Sequence, residues 1–252
     1  MKINSSNGST SNSETDYLAE LILDFPPLSP VSTDKAFELL RTRYEQLEKN
    51  IGQFLSLLKS STPSKSLFPF QRLFIEEDRF PAHFYIFCRK FHLFLFKDIL
   101  NNAGQFRQSS DPKSGIIGYG GFHRRMVGNF RYTGSSPSNI VDELCSAFLL
   151  LRNNSKNPVA DALEFYRRFV KIHPFYDANG RIARLILGIY LVHYNFYINW
   201  RGIETGGNKT KFIKRLNNCH DRQNQYNYNE YFGYLFDHFN SFVINVDQLD
   251  KD

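Results

Sequence analysis

A mainly helical fold is predicted here by apolar residues that recur three and four apart along most of the chain, and by the one segment where that rhythm stops. The exception, GQFRQSSDPKSGIIGYGGFHRRMVGNFRYTGSSPSN over 104–139, is rich in Gly, Ser and Arg. Its glycines at 115, 118, 120, 121 and 128 predict turns around a short β-hairpin, or flap. A third observation agrees: 25 of the 252 residues are Phe, a composition suited to aromatic-filled helix packing. The expectation is a helical bundle with a short β-hairpin flap and an N-terminal helical extension.

Residues 1–15 are Ser/Asn-rich with almost no large apolar side chain, which predicts a disordered tail. The extension spans 16–64. Within it FPPLSPVSTD (25–34) reads as a Pro-punctuated linker ending in helix N-caps. Leu40, Tyr44, Leu47, Ile51, Phe54 and Leu58 then form one helical stripe. That stripe either packs on the protein's own core or, having a 3.5-residue period, makes a seam with a partner or a second copy. From Phe68 to Leu100 the chain is aromatic and helical, interrupted at Pro81. Helical pattern resumes over 140–152. Asn157-Pro158 reads as an N-cap with proline in the first turn, opening a helix with Val159, Leu163, Tyr166 and Val170 on one face. Leu185 to Tyr197 is nearly all apolar and predicts a buried central helix. Tyr231, Phe232, Leu235, Phe239 and Phe242 mark a last amphipathic helix.

Composition bounds the function. The chain is 42% hydrophobic and 22% charged, as globular domains are, and its net charge of +6 favours acidic partners. Phosphate-bearing small molecules satisfy that charge as well as nucleic acid does. Cys88, Cys145 and Cys219 are scattered, with no zinc spacing, and read as buried free thiols in a reducing compartment. The N-terminus lacks the apolar region of a signal peptide. The strongest apolar run, Leu185 to Trp200, is broken by His193, Asn195 and Asn199 and is too short to span a bilayer. The expected location is cytoplasmic, with delivery into another cell left open and no membrane partner.

The chemistry concentrates in HPFYDANGRIAR, His173 to Arg184. A helix ending near His173 and another containing Arg181 leave a tight turn leading into a helix N-terminus. Backbone N–H groups around Ala178, Asn179 and Gly180 are expected to be unpaired there and to attract an anion. The small residues at 178 and 180 let a phosphate approach the backbone. Arg181 and Arg184, three apart, share a helix face and reach further phosphate oxygens. Asp177 is a lone carboxylate suited to Mg²⁺ held jointly with phosphates. His173 is the nearby group that takes a proton near neutral pH. Together they suit transfer from a metal-bound nucleotide polyphosphate to an acceptor deprotonated by histidine.

This stretch resembles the signature of the Fic (Fido) family, HxFx(D/E)GNGRxxR, at every fixed position except Ala178, which replaces the first Gly. FHLFLFKDILNNAGQFR (91–107) is similar to the family's helix ending in GQFR, and the Gly-rich stretch lies where the family has its flap. The resemblance extends over 65–245, which would be the Fic domain, with 246–252 a C-terminal tail. It implies a protein adenylyltransferase of the AMP-transferring branch. His173 would be the general base for a Ser, Thr or Tyr hydroxyl of a target protein. Asp177 would place Mg²⁺ on the α- and β-phosphates of ATP, Ala178, Asn179 and Gly180 would form the phosphate nest, and Arg181 and Arg184 would hold the β- and γ-phosphates. The flap, at Gly118, Tyr119, Gly120, Gly121, Phe122 and His123, would dock the target's backbone by β-augmentation.

Two departures keep alternatives open. The DAN of this chain resembles the Doc branch, HxFxDANKR, which transfers a phosphate. Gly180 in place of its Lys, together with Arg184, favours AMP transfer, and the methyl of Ala178 is expected to be tolerated where the backbone is helical. The signature reads phosphates, so UTP, GTP or a phosphocholine carrier remain alternative donors. No Glu is followed by Gly or Asn, so the family's inhibitory (S/T)xxxE(G/N) motif is absent as usually written. A separate antitoxin-like inhibitor is one expectation, and Glu45 and Glu48 are degenerate candidates within the chain. A nucleic-acid module is the rival class, since Arg107, Lys113, Arg124, Arg125 and Arg131 interleave with Phe106, Tyr119, Phe122, Phe130 and Tyr132. No nucleic-acid motif accompanies them, and no nucleic-acid partner is expected.

Overall fold

The computed structural model describes residues 31–32, 34–43, 46, 80–110, 118–119, 132–151 and 155–245. Its helices are α1 (Phe80–Phe96), α2 (Ile140–Phe148), α3 (Pro158–Ile172), α4 (Asn179–His193), α5 (Trp200–Glu204), α6 (Gly207–His220) and α7 (Tyr228–Asn240). Pro81 stands in the first turn of α1, where a missing N–H costs nothing, rather than interrupting it. α3 starts as its sequence predicts: the Asn157 side chain accepts the Ala160 N–H at 3.1 Å, and Pro158 opens the first turn.

α3 and α4 pack on each other through the centre of the molecule. α2 lies between α1 and α3, and α7 covers α6 and α3. The buried face of α3 is wider than its predicted stripe. Val159, Leu163 and Tyr166 are joined by Ala162, Phe165, Phe169 and Ile172, while Val170 is only half-buried. Phe148, Phe165 and Phe169 pack successively as tilted rings, with centroids 4.8 and 5.7 Å apart. The aromatic-rich composition therefore fills the helix interfaces.

The apolar run after the motif does not continue as a helix to Tyr197. α4 ends at His193, Asn195 turns the chain at φ 60°, and β3 (Phe196–Ile198) pairs antiparallel with β4 (Val243–Asn245). Asn tolerates the left-handed region, and Phe-Tyr-Ile suits a strand. The flap is present at its base: β1 (Gly118–Tyr119) pairs antiparallel with β2 (Tyr132–Thr133).

A helical segment over 34–43 buries Ala36 and Leu40 in the main core. Arg43 donates to the Leu95 carbonyl at 3.0 Å, at the C-terminal end of α1. The described part of the N-terminal helix thus packs on the chain's own core. The rest of its stripe, Tyr44 to Leu58, lies outside the described residues, as do Glu45 and Glu48. Cys88 is buried, whereas Cys145 and Cys219 are only half-buried, and all three are free thiols. Among the described residues no helix is long and apolar enough to cross a membrane.

Candidate active site

The turn between α3 and α4 is strained at both ends. His173 caps α3 at φ 51° and ψ 58°, a left-handed conformation costing about 1–2 kcal/mol for a residue with a Cβ. Its N–H still bonds to the Phe169 carbonyl at 3.0 Å. Its ring Nδ1 lies 3.3 Å from the Val170 carbonyl. With Nδ1–H donating there, Nε2 is the nitrogen that accepts a proton. The residue keeps some exposed surface, but burial pushes the imidazole down to about 4; the Val170 carbonyl opposes this and the charge of Arg107 adds to it. His173 is neutral at physiological pH.

Two residues hold this turn from behind. Arg107, 3% exposed, donates through Nε to the His173 carbonyl at 2.6 Å and through one terminal nitrogen to the Ile172 carbonyl at 3.1 Å. His92, on α1, accepts the Gly104 N–H on Nδ1 at 2.9 Å, and its Nε2 faces the Asp177 carbonyl at 3.3 Å. Its ring stacks on Phe175 with centroids 4.0 Å apart. Burial lowers the His92 imidazole to about 4, so it stays neutral and supplies one acceptor and one donor.

The start of α4 is shaped by Asn179. Its side-chain carbonyl accepts the Phe175 N–H and its amide donates to the Phe175 carbonyl, both at 2.9 Å. That double bond pair folds 175–179 into a closed turn. The Ala178 N–H, expected to be unpaired, is instead taken by its neighbour Asp177 through Oδ1. Asn179 and Gly180 are the first residues of α4, whose first full-turn bond runs from the Ile182 N–H to the Ala178 carbonyl, so their amides have no intrahelical acceptor. A Cβ at Gly180 would face open space. Arg181, in the same turn, is 8% exposed. The structure therefore assembles His173, Asp177, Ala178, Asn179, Gly180 and Arg181 on one turn and one helix start.

Residues 87–191 match the model of the Fic/DOC family. The matched stretch runs from α1 into α4 and includes the whole α3–α4 turn. No curated protein is a significant match to the chain. Among solved structures, a Fic family protein from Desulfovibrio desulfuricans G20 is 15% identical, with 96% of this chain and 68% of that one covered and a TM-score of 0.43. A Fic domain containing signaling protein from Bacteroides thetaiotaomicron is 17% identical, with 89% and 93% covered and a TM-score of 0.41.

The match to the Fic/DOC family model supports a Fic-type transferase of some kind. Two features distinguish its site. Ala178, the N-cap of α4, sits at φ 61° and ψ 13°. The backbone at the exchanged position is left-handed, not ordinary helix, so the methyl is strained rather than neutral, and the family's Gly is the residue that this conformation favours. The second feature is at Arg184. Its Nε donates to the Gly180 carbonyl at 3.2 Å, its guanidinium lies 5.6 Å from the Trp200 ring centroid, and it pairs with Glu204. Glu204 ends α5, and no motif or spacing in the sequence connects it to Arg184.

Sequence reasoning also missed His92 and the role of Arg107. A signal for His92 existed: it lies four residues from both Cys88 and Phe96, on a face that is wholly buried. Arg107, grouped by the rival reading with nucleic-acid contacts, is buried and bonded to carbonyls. Of the flap residues, Gly118 and Tyr119 form β1, while Gly120, Gly121, Phe122 and His123 lie outside the described residues, as do Lys113, Arg124, Arg125 and Arg131.

Proposed function

We propose that this chain is a protein adenylyltransferase that moves AMP from ATP to a hydroxyl of a target protein. The observation that carries the reading is the closed turn made by Asn179, which joins a neutral histidine to an anion-accepting helix start through five intervening residues. The polyphosphate would lie against the amides of Asn179 and Gly180, with open space where a Gly180 side chain would stand and Arg181 beside it. Arg184 joins them by exchanging Glu204 for phosphate oxygens.

The donor set suits Mg²⁺. Asp177 is a single carboxylate at the mouth of the turn, and Mg²⁺ bound with a nucleotide takes its remaining ligands from phosphates and water. When bound there, Mg²⁺ would neutralise charge on the phosphates. The chain's own part in the step follows. His173 Nε2 takes the proton of the target hydroxyl, the hydroxyl oxygen bonds to the α-phosphorus, and the bond from that phosphorus to the bridging oxygen breaks, releasing pyrophosphate. A histidine at about 4 in the free protein is a weak base, and the negative charge of bound phosphate raises it toward neutrality. The β1–β2 hairpin offers the backbone edge on which an extended target segment adds.

The test uses ATP labelled at the α- or the γ-phosphate, Mg²⁺, a cell lysate, and wild-type or His173→Ala protein. Protein labelling from the α position alone, reduced about 10²–10⁴-fold by the substitution, is the expected result. Labelling from the γ position alone means phosphate transfer in place of AMP transfer. Undiminished α labelling by His173→Ala removes histidine from the chemistry.

A further inference from the structure

We propose that Arg107 is a positioning residue that couples the base of the flap to His173, so that one guanidinium sets both the orientation of the histidine and the seat of the hairpin. The proposal rests on the reading of His173 as the base. Arg107 engages three successive carbonyls of the α3–α4 turn: its side chain reaches Ile172 and His173, and its own N–H donates to the Pro174 carbonyl at 2.9 Å. The same terminal nitrogen, Nη2, also donates the other way, to the Ser135 carbonyl at 2.7 Å, two residues beyond β2. The Ser135 N–H closes the square by donating to the Ile172 carbonyl at 3.1 Å.

Gly134, between β2 and Ser135, shows how tight this junction is. A Cβ there would stand 2.7 Å from the Arg107 terminal nitrogen, 2.9 Å from the His173 Cβ and 3.2 Å from the Ile172 carbonyl oxygen. The strand leaving the flap passes against the histidine itself. Nε meets the His173 carbonyl while Nη2 is shared between those of Ile172 and Ser135, a fixed set of directions that a planar guanidinium satisfies and a lysine ammonium does not. A cation is also well placed at the last carbonyls of a helix. The left-handed backbone at His173 is therefore fixed by contacts that include the flap, and a displacement of the hairpin reaches the imidazole through Gly134, Ser135 and Arg107.

The experiment compares wild type, Arg107→Lys and Gly134→Ala in the full chain. Circular dichroism reports folding, labelled-ATP transfer gives kcat and the KM for ATP, and NMR follows the His173 imidazole Cε1–H signal, assigned by its loss in His173→Ala. Both variants are expected to keep the helical spectrum and a KM for ATP within about twofold, while kcat falls about 10²-fold, the effect of a misplacement near 1 Å, and the His173 signal shifts. A wild-type kcat, a loss confined to the KM for ATP, or an unmoved His173 signal in folded variants overturns the coupling. If Arg107→Lys fails to fold, Gly134→Ala, which retains the guanidinium, decides alone. If wild-type protein transfers no label from any donor, the reading of His173 as a base fails, and the NMR signal still decides the coupling without reference to activity.

Discussion

Ala178 carries a cost that one methyl group creates. Its φ of 61° brings a Cβ close to the following carbonyl, a contact that glycine lacks. Against this, glycine loses more conformational freedom on folding, which returns part of the gain. The balance favours glycine: Ala178→Gly is expected to stabilise the fold by about 1 kcal/mol. For a chain of this length that is a rise in Tm of about 2–4 °C. Thermal unfolding of the two proteins checks it, and a lower Tm for the glycine variant would show that the Ala178 methyl packs in its buried site more favourably than its backbone is strained. Asn179, one residue on, illustrates a different limit. Its residue type suited a phosphate nest, yet its side chain is wholly committed to Phe175, so its contribution to a ligand is through the backbone.

Between elements, a dense polar tie outside the site centres on Glu164 of α3. It receives Arg167 in two bonds of 2.7 and 2.6 Å, Arg168 at 2.8 Å, and the hydroxyl of Tyr228, the first residue of α7. Burial alone would raise its pKa, but the hydrogen bonds and charge of Arg167, with Tyr228 and Arg168, hold it below the ordinary carboxylate value. Glu164→Gln leaves Arg167, largely buried, without its counter-charge, and is expected to cost about 3 kcal/mol. Urea unfolding would measure this, and a loss under about 0.5 kcal/mol would show that the pair is screened by water. Elements that owe their form to neighbours in sequence were legible: the Asn157-Pro158 start of α3, its apolar face, and the turn between His173 and Arg181. The β3–β4 pairing was not, because two three-residue strands have no period to read and meet only after the intervening helices fold. Glu204 and Arg107 escaped for the same reason, their partners being set by packing between distant segments. The left-handed backbone at Ala178 was hidden because a methyl replaced the glycine that would have announced it.

Across the whole molecule, the helices close around neutral histidines, and this makes the fold sensitive to acid. Burial lowers His92 and His173 to about 4 and His220 to about 3, the last also opposed by the charges of Arg167 and Lys171. In the unfolded chain each returns to about 6.5. Below that pH the unfolded state binds protons that the folded state refuses, so stability is greatest above about 6.5 and declines as pH falls toward 4. Each histidine adds a slope of up to about 1.4 kcal/mol per pH unit within that window. Glu164 acts in the same direction only at lower pH, where the unfolded carboxyl takes up a proton near the ordinary 4.5 while the folded one stays ionised. Urea unfolding between pH 7.5 and about 5.5, above the carboxylate range, therefore reports chiefly on the histidines. The expected result is a steady loss of stability below pH 6.5, made shallower by about one proton in His173→Ala. A flat profile would mean that these rings take up protons in the folded state as readily as in the unfolded one, and the proposed role of His173 as a base would lose the neutral imidazole it requires.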